Sequence, residues 1–154
     1  MKKKILFICT QNVFRSYSAH KIAEFFIKKN DLDFEIDSAG THAYSWERPY
    51  SVTFDTLDEL SIQFDYSHKN KKVSRDIIDD YTIVICMTKE HKTHLKSNFG
   101  VDSYLFNEVV KGEKTDLQDD VESTSYDDLD EFVRQTIVYI YDSMEKLLEN
   151  VQKI

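Results

Sequence analysis

The segment KILFIC, Lys4–Cys9, most constrains what this chain can fold into. After its first lysine it is apolar throughout, at strand length, which demands cover on both faces of a sheet. From Ser16 the pattern changes: Ala19, Ile22, Ala23, Phe26 and Ile27 recur at helical spacing, predicting a helix that ends near Asn30. Asp33–Gly40 alternates like a short strand. Pro49 can occupy the first turn of a helix through about Leu60, with Val52, Leu57 and Leu60 as its stripe. Ser74 is placed to cap a short helix holding Ile77 and Ile78. Tyr81–Met87 reads as the most buried strand, Thr88 as the cap of a helix to about Asn98, and Asp102–Phe106 as a further strand. A last helix is expected from about Tyr126 to Val151, with Phe132, Ile137, Ile140, Met144 and Leu147 inward. Strands alternating with helices imply βαβ units and a mainly parallel sheet, whose ligands bind beyond the carboxyl ends of its strands.

Composition narrows the function classes. With 41% hydrophobic and 31% charged residues, the 154-residue chain reads as one globular domain, 1–154. A net charge of −8 argues against nucleic acid as a partner. The stretch after MKKK is too short for a signal peptide or membrane span, and two cysteines make no disulfide framework, so a cytoplasmic protein is expected.

Between the first strand and the first helix lies CTQNVFRS, Cys9–Ser16. A loop closing onto a helix N-terminus presents backbone N–H groups and the positive end of the helix dipole, a setting for a dianion such as phosphate. A cysteine at its first position is favoured as thiolate by the same field. Arg15, at the far end, can grip two phosphate oxygens. The thiolate then lies below the phosphorus, and a phosphocysteine becomes possible. Without that placement Cys9 would read as an inert buried thiol.

These residues resemble the low-molecular-weight protein tyrosine phosphatases, whose signature is a strand followed by Cys-x-Gly-Asn-x-Cys-Arg-Ser-Pro opening a helix. Cys9, Asn12, Arg15 and Ser16 are in register, and DSAGT (Asp37–Thr41), His68 in FDYSHK, and YTIVICMTKEHKTHL extend the likeness over nearly the whole chain. The resemblance implies a three-layer α/β fold with a four-stranded, mainly parallel sheet of flavodoxin-like order 2-1-3-4, flanked by helices. It implies Cys9 as nucleophile, Arg15 as phosphate clamp, and Thr10, Gln11, Asn12, Val13, Phe14, Arg15 and Ser16 around the phosphate. Asn12 would hold the loop in a left-handed conformation that Asn tolerates. Ser16 would donate to the thiolate, Ser38 and His68 would support Asn12, and Trp46 falls where the family often has a pocket aromatic. Taken alone, Ser16 is an ordinary helix cap and His68 an ordinary loop histidine.

The family's acid, an Asp in an Asp-Pro pair, aligns with Asp119 in DLQDD; Asp120 is the runner-up and Asp116 third. The bland reading is a solvated acidic loop. Gln11 replaces the family's glycine, Phe14 its second loop cysteine, Tyr17 its proline, and Asp120 the proline after the acid. Without a cysteine at position 14, the family's usual disulfide with the nucleophile cannot form. Val121 and Glu122 replace an aromatic pair, leaving Trp46, with Tyr17 or Tyr126, to accompany a phosphotyrosine ring; Glu122 would disfavour acidic phosphopeptides. A loop threonine accompanies phosphoarginine preference in some members; Val13 stands there and favours an aryl phosphate.

The expected activity is thus a cofactor-free, metal-free protein-tyrosine phosphatase acting on a phosphotyrosine protein or small aryl phosphate. Alternatives are a protein-arginine phosphatase, an arsenate reductase, and a phosphate- or phosphopeptide-binding module. Arsenate reduction needs further cysteines, and only Cys86 exists, in a strand. A pure binder needs neither nucleophile nor acid. Flavin binding would call for a Ser-, Thr- and Gly-rich first loop.

Overall fold

A computed structural model describes residues 2–44, 48–80, 82–120 and 128–154. Four strands, β1 (Lys3–Cys9), β2 (Phe34–Gly40), β3 (Thr82–Cys86) and β4 (Tyr104–Leu105), form one sheet in the order β2-β1-β3-β4. Every pairing is parallel. The helices are α1 (Arg15–Lys29), α2 (Ser51–Glu59), α3 (Lys89–Phe99), α4 (Phe106–Lys111) and α5 (Leu129–Val151).

The unbroken apolar run of β1 has the expected cause. Ile5, Phe7 and Cys9 pack into the larger core with residues of α1, α2, α4 and α5. Leu6 and Ile8 point the other way, into a smaller core with Val84, Cys86 and Leu95 of α3. Residues alternate across a strand, so a strand covered on both faces is apolar at every position.

The structure departs from expectation in local stops and starts. The fourth strand holds two residues rather than Asp102–Phe106, because α4, which was not foreseen, begins at Phe106. Glu108 sets that start: its Oε1 accepts the Leu105 backbone N–H at 3.0 Å. Gly112, at φ 74°, ends it in the left-handed region that favours glycine. Ser74 makes no side-chain cap, and Arg75–Ile77 is only a 3₁₀ turn. Pro49 lies ahead of α2 rather than in its first turn, although the helix ends where expected, at Glu59 with Leu60 as its C-cap. Tyr81 and Tyr126, the expected starts of a strand and the last helix, lie outside the described residues. Thr88 caps α3 as predicted, with His91 completing a reciprocal capping box.

β1 and β2 end side by side, Cys9 opposite Gly40, and this register braces the loop that follows β1. Thr41 N–H donates to the Cys9 carbonyl at 2.9 Å and His42 N–H to the Thr10 carbonyl at 2.8 Å. Gly40 is packed so closely that a Cβ there would overlap the Thr10 carbonyl oxygen and sit 2.9 Å from the Gln11 carbonyl carbon. Gly40→Ala is therefore expected to lower unfolding stability in urea by about 1–3 kcal/mol, as overpacking does. An unchanged midpoint would show that the loop can yield at no cost.

Candidate active site

The loop Thr10–Phe14 lies beyond the carboxyl end of β1 and runs directly into α1. The N-cap residue of α1, Phe14, supplies no side-chain cap, and the helix's first turn contains no acidic residue. Its positive end is thus left for an anion. Asn12 takes φ 60°, the one left-handed residue of the loop, as anticipated. Gln11, standing in for a glycine, is not among the positive-φ residues, so its side chain imposes no backbone strain.

Asn12 is fully buried and organises the site. Its side-chain amide donates to Ser16 Oγ and to Ser38 Oγ, each at 2.9 Å. Its Oδ1 accepts the Lys71 N–H at 3.1 Å. Its backbone carbonyl accepts from His68 Nε2 at 2.8 Å. Asn70 Nδ2 donates to the neighbouring Gln11 carbonyl at 2.9 Å. The resemblance placed Ser38 and His68 at Asn12 and Ser16 at the thiolate; the structure brings Ser38 and His68 to Asn12, and Ser16 as well. It did not foresee His20, whose Nδ1 lies 2.9 Å from Ser38 Oγ and extends the network along α1. Burial pushes His20 down to about 4 and also lowers His68. Both rings are therefore neutral near pH 7.

The chain of hydroxyls leads to the sulfur. Ser16 Oγ lies 2.9 Å from Cys9 Sγ. Asn12 N–H points at the same sulfur from 3.3 Å. Ser16 accepts one hydrogen from Asn12 and keeps its own proton to give, with the sulfur nearer than its other acceptor, the Ala39 carbonyl at 3.4 Å. Ser16 Oγ–H and the Asn12 N–H are thus both within reach of the sulfur as donors.

A cavity of about 620 Å³ opens in front of the sulfur. Cys9, Thr10, Gln11, Val13, Phe14 and Arg15 make its floor, and Tyr50, Leu129 and Phe132 line it with apolar surface. Arg48, Glu90, His91, Asp116 and Gln118 add polar groups. Arg15 is steadied by Gln118 Oε1, 3.3 Å from Nη1, and by Thr10 Oγ1, 3.4 Å from Nη2. Phe14, in place of a second loop cysteine, meets Phe132 edge-on with ring centroids 6.1 Å apart.

Tyr17 requires a correction. It is fully buried, its hydroxyl accepts the Asp65 N–H at 3.1 Å, and its ring stacks on His68 at 4.0 Å. It supports the histidine that holds Asn12 and does not line the pocket. Trp46, Tyr126, Val121 and Glu122 lie outside the described residues.

The acidic loop forms a 3₁₀ turn, Leu117–Asp120. Asp120 is engaged elsewhere: Asn107 Nδ2 reaches one oxygen at 2.6 Å and Lys111 Nζ the other at 2.5 Å. Asp116 lines the cavity and accepts the Lys89 N–H at 2.8 Å, anchoring the start of α3. Asp119 is exposed and is not among the lining residues; its Oδ2 accepts the Asp116 N–H at 3.1 Å, and Oδ1 has no partner among the described residues. Arg48, Tyr50, Glu90 and His91 were not anticipated as site residues. They come from segments far apart in sequence, and only the Thr88–His91 spacing gave any local signal.

A sulfur so placed can attack phosphorus and hold a phosphoryl group covalently, which defines the class as cysteine-based phosphatases. The model of the family described as low molecular weight phosphotyrosine protein phosphatase matches residues 4–154, and the chain belongs to that family. A protein-arginine-phosphatase of Bacillus subtilis (strain 168) is 26% identical over 140 residues, 85% of this chain and 92% of that protein. A YwlE mutant from Bacillus subtilis superimposes with a TM-score of 0.84 at 21% identity, covering 98% of this chain and 99% of that one. A low molecular weight protein tyrosine phosphatase from T. tengcongensis gives 0.81 at 25% identity, covering 96% and 99%. YfkJ from Bacillus subtilis gives 0.80 at 27%, covering 99% and 96%. Among the described residues no helix is long and apolar enough to cross a membrane.

Proposed function

We propose that the protein is a cytoplasmic, one-domain phosphatase that hydrolyses phosphotyrosine in proteins through a phosphocysteine on Cys9. The observation that carries this reading is the Cys9 sulfur lining the cavity with Arg15, 2.9 Å from Ser16 Oγ and 3.3 Å from the Asn12 N–H that points at it. Cys9 thiolate attacks phosphorus, the P–S bond forms as the P–O bond breaks, and Asp119 gives its proton to the leaving phenolate. Water then attacks the phosphocysteine, Asp119 takes its proton, and inorganic phosphate leaves the regenerated thiolate. Arg15 grips the phosphoryl oxygens through both steps. Asp116 and Asp119 each have one oxygen accepting a backbone N–H, from Lys89 and from Asp116 respectively, and the family resemblance favours Asp119 as the acid. Cys86 is fully buried with its thiol pushed up to about 11 by burial, a poor partner for the cysteine relay that arsenate reduction would need.

Asp119→Ala is expected to slow an aryl phosphate with a poor leaving group about 100-fold, and para-nitrophenyl phosphate much less. The same asymmetry in Asp116→Ala, and not in Asp119→Ala, would assign the acid to Asp116.

Val13, Phe14, Tyr50, Leu129 and Phe132 offer an aryl ring apolar walls. A second reading, phosphoarginine, is favoured by the similarity to the protein-arginine-phosphatase. Comparing kcat/KM for one peptide sequence carrying either phosphoresidue decides between them. Preference for phosphotyrosine is expected; the reverse order would move the assignment to arginine.

A further inference from the structure

His91 is 3% exposed, at the start of α3, and lines the cavity. Its proton position follows from its neighbours. The buried Thr88 backbone N–H points at Nδ1 from 3.1 Å. A backbone N–H can only donate, so Nδ1 is unprotonated and the neutral ring carries its hydrogen on Nε2. The ring stays neutral because burial, then the adjacent Arg15 charge, pushes it down to about 3. Nε2 lies 2.9 Å from Thr10 Oγ1 and therefore donates to it. Arg15 Nη2 donates to the same oxygen from 3.4 Å.

Both lone pairs of the Thr10 hydroxyl are thus taken by donors. Its own hydrogen has no acceptor among the described protein groups, and the side chain lines the cavity immediately beside Cys9. A hydroxyl offers two acceptor sites and one hydrogen, so filling the first fixes the use of the second. We infer that the Thr10 hydroxyl is a phosphate-binding donor supplementing the loop backbone, and that His91 is a positioning residue that aims it through Nε2. This inference rests on the phosphatase reading for its ligand class. Neither residue would be expected to matter in this way from helix-cap chemistry alone.

The test measures binding of inorganic phosphate by calorimetry, with thermal unfolding as a check on folding. Thr10→Val keeps the shape and removes the donor; phosphate affinity is expected to fall about tenfold, the worth of one hydrogen bond to a charged group. Thr10→Ser should restore most of it. His91→Leu should cause a similar loss, and His91→Gln, whose amide N–H can replace Nε2–H, should recover most of that loss. The double variant Thr10→Val/His91→Leu should bind no more weakly than Thr10→Val alone, because His91 acts through Thr10. Unchanged affinity in Thr10→Val would overturn the inference, as would losses that multiply in the double variant. Folded wild type that binds phosphate but turns over no phosphomonoester would instead contradict the catalytic reading and leave this affinity test intact.

Discussion

Cys9→Ser is expected to reduce turnover of any phosphomonoester by at least about a thousandfold, since a serine hydroxyl is not ionised near neutral pH and is a far weaker nucleophile than thiolate. Phosphate binding should persist, because the loop backbone, Arg15 and Thr10 remain. The substituted oxygen still finds Ser16 and the Asn12 N–H beside it, so folding is not at stake. Steady-state kinetics with para-nitrophenyl phosphate, together with phosphate binding, separate the two effects. Appreciable turnover in this variant would remove Cys9 as nucleophile.

The second large effect is expected at Arg15. Its guanidinium stands at the far end of the loop that follows β1, and Gln118 and Thr10 steady two of its nitrogens. Arg15→Ala should lower kcat/KM by about a thousandfold, as removal of a charge-stabilising donor does in comparable sites. Arg15→Lys keeps the charge but cannot bridge Gln118 and Thr10 while gripping two phosphoryl oxygens, so it should recover little. Near-complete rescue by lysine would mean that charge alone matters and that the planar fork is dispensable. Arg15 also links the loop after β1 to the Leu117–Asp120 turn through Gln118. Gln118 variants should accordingly change kcat more than phosphate affinity.

Much of this site is local in sequence, which is why it could be read there. Cys9, Asn12, Arg15 and Ser16 share one strand–loop–helix segment, although the loop is also braced by Ser38, His68, Asn70 and Lys71 from elsewhere in the chain. Asn12 could be expected in a left-handed conformation because few other side chains tolerate one. Tyr17 was misplaced for a reason visible in helix geometry: it stands two residues beyond Arg15, about 200° around α1, and so faces the opposite side. There it packs on His68 and Phe54 instead of facing the substrate cavity. α4 was missed because DSYLF, with its aromatic and apolar residues, continues a strand pattern through the point where Glu108 turns the chain. His91 was legible only as part of a helix around Thr88; its contact with Thr10, 81 positions away, exists because β1 and β3 are neighbours. Arg48, Tyr50, Glu90 and Phe132 also reach the cavity from segments distant in sequence from the loop. The family resemblance points to Asp119 whereas cavity lining points to Asp116, which is why leaving-group dependence is the discriminating observable.

The central claim is that phosphoryl transfer passes through the Cys9 sulfur. Rapid mixing of wild-type protein with excess para-nitrophenyl phosphate, acid quenching within the first turnover and mass analysis of the digested chain test it directly. One phosphoryl group is expected on the peptide containing Cys9, appearing with a burst of nitrophenol of matching size. Turnover with that peptide unmodified, or with the phosphoryl group on another residue, would contradict it.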